Sequence, residues 1–131
     1  MSDRFARGSE LLDQIHAGGG AQLVAAMSDI APDLGRYIIE FGFGDVYSRP
    51  GLSLRDRQIA TVAALAVMGT AGPQLVAHIE GALAVGVTKA EIIEIIIQMA
   101  LYGGFPAAMN GIDAARQAFR AFDARPPATD D

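Results

Sequence analysis

Cysteine is absent from this chain. That removes a disulfide framework, a thiolate nucleophile and a thiolate-bound metal from the chemistry available to it. Histidine is scarce too, limited to His16 and His78. His78 has no H-x-x-x-H partner and no aspartate close by in sequence, which falls far short of a metal ligand set, so no metal is expected. Charged residues make up only 19%, and the balance of −5 argues against nucleic acid as a partner. A small anionic ligand would have to find a local cluster of arginines. Glu, Gln, His or Gly interrupts every apolar run before the length a bilayer requires, so no membrane span is expected. The opening residues MSDRFARGSELLDQ lack the apolar core of a signal peptide, and the cytosol is the expected compartment.

What is present is apolar: 51% of the 131 residues are hydrophobic. The length suits a single domain with one core. This much apolar side chain on so short a chain suggests burial between subunits as well as within one.

The periodicity is helical throughout. A first helix is expected over 4–16, with Phe5, Leu11, Leu12 and Ile15 on its apolar side. Gly18, Gly19 and Gly20 read as a linker; no strand precedes them and no lysine follows, so they do not form a phosphate loop. Short helices follow around Ala21–Met27 and Pro32–Glu40. FGFGDVYSRPGL (41–52) is the one long segment expected to be irregular, given its glycines and Pro50. Ser53 with Asp56 caps a helix to Met68, which stops at Gly69. Pro73 opens the next helix and Gly86 closes it. Thr88 with Glu91 forms a capping box for a helix ending at Gly103-Gly104, Pro106 starts a last helix to about Phe122, and ARPPATDD reads as a frayed tail. The expected fold is all-α, a compact single-domain bundle of about six helices. Its expected parts are an N-terminal helical segment over 1–40, a core over 41–122 and a tail over 123–131.

Polar residues on these apolar helices are the candidates for chemistry. After Thr88, positions 92, 93, 95, 96, 97, 99, 100 and 101 are all apolar, marking a helix central to the fold or sandwiched at an interface. Glu91, Glu94, Gln98 and Tyr102 fall within roughly 80° of its circumference. That stripe either faces water or lines a cleft into which Gln98 and Tyr102 point. On the preceding helix Gln74 and His78 share a face, continued by Gly81 and Ala82, whose small size lets a backbone or ligand approach. A lone histidine in such a place is either a hydrogen-bonded structural residue or a catalytic one. His16, at the end of the first helix, is explained by the helix C-terminus. Arg49, Arg55 and Arg57 cluster in and after the glycine-rich segment, where guanidinium groups could hold a carboxylate; Asp45 is a candidate partner for Arg49 instead.

Three segments resemble the carboxymuconolactone decarboxylase family. GDVYSRPGLSLRDR is similar to its G-D-[I/V]-[W/Y]-[T/S]-R-P-G-L segment. LVAHIEGALAVGVTKAEIIEI is similar to its L-x-x-H-x-x-x-A-x-x-x-G-V-T-x-x-E-I-x-E segment, and MALYGGFPAA to its A-x-Y-x-G-x-P-A-A segment. The resemblance covers residues 41–122. It implies an alkyl hydroperoxidase D-like all-α fold, assembled as a homotrimer or homohexamer. One branch of that fold, the peroxidases, uses a C-x-x-C-x-x-x-H motif, whose cysteines would fall here at Ala71 and Gln74; the thiol chemistry of that branch is therefore excluded. The cysteine-free branch decarboxylates 4-carboxymuconolactone to the 3-oxoadipate enol-lactone with no cofactor. Its butenolide carbonyl accepts the electrons released with carbon dioxide, and the anion is then protonated on carbon.

Such a reaction needs an anion clamp, an oxyanion donor and a general acid. On the resemblance, His78 is the catalytic acid or oxyanion donor. Arg49 and Arg55 hold carboxylates, while Gln98, Tyr102, Gln74 and Asn110 line the substrate. The chain departs from the family's Y-C-G-x-P-A-A-N-H-A at Tyr102-Gly-Gly-Phe-Pro-Ala-Ala-Met109-Asn110-Gly111. Asn110 thus stands where a second histidine is expected, and Gln74 where an acidic residue is common. The leading expectation is a decarboxylase acting on a small anionic lactone or keto acid in the catabolism of aromatic compounds. A non-catalytic ligand-binding or structural oligomer is the alternative, followed by a thiol-independent antioxidant protein.

Overall fold

The computed structural model describes residues 2–126, and among these the secondary structure is helical with no strand. The chain divides into two compact units, one through Arg57 and one from Gln58 onward. The sequence pattern instead placed an internal boundary at 40/41. The tail expected over 123–131 lies, from residue 127 on, outside the described residues; Asp123 still belongs to the last helix.

The first unit opens with α1 (Asp3–Ile15), whose N-terminus is capped by Ser2: its Oγ accepts from the Phe5 amide at 3.2 Å. Gly18, at φ 73°, turns the chain into α2 (Gly19–Met27). The triple glycine is therefore only partly a linker, because Gly19 and Gly20 are the first residues of α2. Both are buried beside α1, where a Cβ on Gly20 would lie 2.6 Å from Ser9 Oγ and one on Gly19 3.2 Å from Leu12 Cγ. Asp13 on α1 accepts from the Gly20 amide at 3.3 Å, supplying the acceptor that the glycine start of α2 lacks.

Next comes α3 (Pro32–Tyr37), and the segment expected to be irregular from Phe41 is mostly a π-helix running from Ile38 to Tyr47. Of its two glycines, Gly44 meets close packing, whereas a Cβ on Gly42 would find nothing within 4 Å. A Cβ on Gly8 of α1 would overlap the Ile39 carbonyl oxygen and sit 2.8 Å from the Gly44 nitrogen, so α1 and the π-helix meet backbone to backbone. Asp45 also departs from expectation. It faces α1, accepting from Arg4 Nε at 3.0 Å and Arg4 Nη2 at 2.7 Å, with Arg7 Nη2 at 3.5 Å, and does not pair with Arg49. The Arg4 hydrogen bonds hold the Asp45 carboxyl below its usual range. Arg7 Nε donates to the Gly44 carbonyl at 2.8 Å, a second tie across the same crossing.

Helix α4 (Leu54–Met68) runs across the boundary between the units, and Ser53 Oγ accepts from the Asp56 amide at 3.1 Å at its start. The second unit continues through α5 (Gly72–Ala84), α6 (Lys89–Gly103) and α7 (Phe105–Asp123). The punctuation expected from sequence is present. Thr88 and Glu91 form both halves of a capping box, Pro73 and Pro106 lie in first turns, and Gly69, Gly86 and Gly104 take positive φ at helix ends. The core gathers Val62 and Ala66 from α4, Leu75, Ile79 and Ala82 from α5, Ile92 and Ile96 from α6, and Ala114, Ala115 and Ala118 from α7. Alanines and Gly111 on α7 bring it close to α6; a Cβ at Gly111 would lie 3.0 Å from Ile96 Cγ2. Outer ties join Lys89 to Asp123 at 2.8 Å and Arg125 to Glu80 at 3.3 Å.

Helix α6 is only half covered within one chain. Ile92 and Ile96 are buried, yet Ile97 is 56% exposed and Leu101 79%. Phe105 and Met109 on α7 are exposed as well. Among the described residues no helix is long and apolar enough to cross a membrane.

Replacing Gly8 by Ala tests the backbone contact in the first unit. Overpacking two backbones should cost about 1–3 kcal/mol, seen as a lower unfolding midpoint in urea or heat. An unchanged midpoint would show that α1 and the π-helix do not approach so closely.

Candidate functional site

The second unit sets a polar pair among its apolar helices, one member fully buried and the other half-buried. Gln58 on α4 is fully buried, and its Oε1 lies 3.2 Å from His78 Nδ1 on α5. Helical spacing explains why Gln58 is inside. It heads the row Gln58, Val62, Ala66, one turn apart on α4, and all three are buried. On α5, Leu75, Ile79 and Ala82 face the core, and His78 lies at the edge of that face, half-buried.

This setting fixes the charge of the imidazole. Burial disfavours the imidazolium, so the His78 pKa lies below its ordinary value and the ring is neutral around pH 7. A neutral imidazole holds one N–H and one lone pair, and the bond at Nδ1 decides which nitrogen carries which. Such a group can donate to a developing oxyanion or relay a proton without carrying a standing charge.

Gln58 was not among the residues singled out from sequence. A signal for it was present: one amide in the stretch QIATVAALAVM, at the i, i+4 spacing of residues destined for the core. The other expected site residues occupy several places. Gln74 is exposed on the first turn of α5, one turn before His78. Gln98 and the 73%-exposed Tyr102 stand on the open side of α6. Gln98 lines a groove of about 320 Å³ with Ile59, Glu91, Glu94 and Ile95. Asn110 on α7 donates to the Gly69 carbonyl at 3.4 Å and lines a groove of about 510 Å³ with Gly72, Pro73 and Val76. Among the described residues the hydrogen bond of His78 is with Gln58 and not with any of these four.

Arg49 and Arg55 belong to the first unit. Arg49 is exposed in the turn after the π-helix, where its carbonyl accepts from Arg57 Nη2 at 3.0 Å. Arg55 is half-buried in the first turn of α4. No group of three or more His, Asp or Glu side chains among the described residues is placed to hold a metal ion.

The lowered pKa of His78 has a consequence for stability. The unfolded chain, with an ordinary value near 6.5, binds the proton more readily than the folded one. Stability linked to neutral His78 is therefore full above about pH 6.5 and is lost as pH falls toward the folded value. Unfolding midpoints measured between about pH 7.5 and about pH 5 should drop more for the natural protein than for His78→Gln, with His16 common to both. Equal drops would contradict the burial of a neutral imidazole.

Comparison with known proteins places this architecture. The model of the carboxymuconolactone decarboxylase family matches residues 32–121. An uncharacterized 15.0 kDa protein of Paracoccus denitrificans is 37% identical over 95 residues, which span 72% of this chain and 71% of that one. The 4-carboxymuconolactone decarboxylase of Acinetobacter baylyi is 34% identical over 94 residues, 72% of this chain and 69% of its own. A nitrosuccinic acid decarboxylase of Metarhizium robertsii is 35% identical over 75 residues, 57% of this chain and 52% of its own. The matched span takes in α3 through most of α7 and both members of the Gln58–His78 pair, and the chain belongs to the carboxymuconolactone decarboxylase family.

Proposed function

We propose that the protein is a cofactor-independent decarboxylase acting on 4-carboxymuconolactone or a related small lactone or keto acid. The observation that carries this reading is the half-buried His78 held by the buried Gln58, within a family whose relatives include proteins named as decarboxylases of carboxylic acids. Loss of carbon dioxide leaves an electron pair on carbon, so the substrate must hold an electron-accepting group beside the departing carboxylate. The enzyme must stabilise the resulting oxyanion and deliver a proton. In this reading His78 is the oxyanion donor or the acid, and Arg49 and Arg55 bind carboxylates as bidentate partners. Gln74, Gln98, Tyr102 and Asn110 supply further hydrogen bonds to substrate. The uncovered apolar residues Ile97, Leu101, Phe105 and Met109 support a homotrimer or homohexamer, and aromatic catabolism in the cytoplasm is the setting such a substrate implies.

A second reading, a ligand-binding or structural oligomer without catalysis, is favoured by one observation. Asn110 and Gln74 stand where the family's decarboxylases have ionisable groups, and both are exposed.

The test is carbon dioxide release from 4-carboxymuconolactone by the purified protein. His78→Ala should lower kcat by about 100-fold or more with the assembly unchanged in sedimentation. Arg49→Ala and Arg55→Ala should raise KM more than they lower kcat. Turnover retained in His78→Ala would remove its assigned role, and thermal stabilisation by lactone acids without turnover would favour the binding protein.

A further inference from the structure

We propose that the buried Gln58 amide donates an Nε2–H to His78 Nδ1, and so holds His78 in the neutral tautomer that carries its proton on Nε2. Gln58 is then a positioning residue, acting on any substrate only through His78.

The argument begins with the two ends of the amide. Oxygen and nitrogen are nearly the same size, so a half-turn about the last side-chain bond exchanges them without moving a neighbour. Hydrogen bonding alone decides between the two orientations. With Oε1 toward His78, the imidazole donates from Nδ1 across 3.2 Å. Both hydrogens of Gln58 Nε2 are then left in the interior with no partner. With Nε2 toward His78 at the same separation, one of those hydrogens meets the Nδ1 lone pair, leaving a single N–H and a carbonyl unmatched. Orphaned N–H groups in protein interiors are rarer and costlier than carbonyls with unfilled lone pairs. Gln58 is fully buried, in a row with Val62 and Ala66, so bulk solvent does not reach the two hydrogens of the first orientation. The second orientation is the better one.

That orientation specifies the ring. A nitrogen that accepts a hydrogen bond cannot carry a proton, so Nδ1 is bare and Nε2 holds the hydrogen. The functional consequence rests on the reading of His78 as oxyanion donor or acid. The donor nitrogen is the one turned away from Gln58, and it is already protonated before substrate binds. Glutamate at position 58 would act in the opposite sense. A carboxylate only accepts, and it would draw the imidazole proton to Nδ1. Gln58 and a glutamate of nearly the same shape are thus not interchangeable here.

The decisive measurement is long-range 15N–1H correlation of the imidazole nitrogens in the full-length 15N-labelled protein, with His16→Gln used to assign the signals. At neutral to slightly alkaline pH, His78 Nε2 should appear protonated and Nδ1 unprotonated, with a scalar coupling across the hydrogen bond between Gln58 Nε2 and His78 Nδ1. A protonated Nδ1 with a bare Nε2 would overturn the proposal. In Gln58→Glu, at a pH where the carboxyl 13C shift shows the new side chain ionised, the proton should move to Nδ1, and a bare Nδ1 beside that carboxylate would equally overturn it; should that variant fail to fold or stay protonated, the natural protein's spectrum still decides. The tautomer is read without turnover, so this result and the decarboxylase assay can succeed or fail separately.

Discussion

A polar side chain buried among aliphatic ones must find its hydrogen bond inside the protein, because leaving it unmatched costs about 1–3 kcal/mol. The second unit is arranged around one case of that constraint. Gln58 is sealed in the row that α4 presents to the core, and His78 on α5 is the group that answers it. The pair ties two helices at a fixed register and burial keeps the imidazole neutral. Val62, Ile79, Ile92 and Ile96 make up the aliphatic core of this unit, and none of their side chains can offer Gln58 a hydrogen bond.

The first unit satisfies the same demand for close fit with different chemistry. Here glycine does the work. Gly8 and Gly44 let α1 and the π-helix approach until main-chain atoms touch, and Arg4 and Arg7 reach across to Asp45 and the Gly44 carbonyl. A π-helix is a less common backbone than the α-helix and tends to mark places where packing or function overrides local preference. In this chain the override has a visible cause, since the wider turn sits where the partner helix comes closest.

Much of the local structure was legible because its causes are local. Capping at Thr88 and Glu91, the glycines that end helices at Gly69, Gly86 and Gly104, and the prolines at 73 and 106 all act within a turn of their own position. The glycine-rich stretch from Phe41 is not legible for the same reason. Gly42 and Gly44 look like breakers when read alone, and only the presence of α1 shows that Gly44 serves a helix crossing. His78 stood out as a lone polar group on an apolar face, whereas Gln58, twenty positions earlier in number, did not, although its spacing to Val62 and Ala66 pointed inward.

By itself, then, the amino-acid sequence determined the helical class, the helix ends of the second unit, the absence of thiol chemistry and the prominence of His78. Each follows from composition or from spacing within one helix. The tertiary structure alone decided which partner each polar group meets. Asp45 meets Arg4, 41 positions away, and His78 meets Gln58. Helical periodicity assigns a residue to a face, but the residue opposite that face is chosen by how whole helices pack, and that choice is made by the summed apolar contacts of the core.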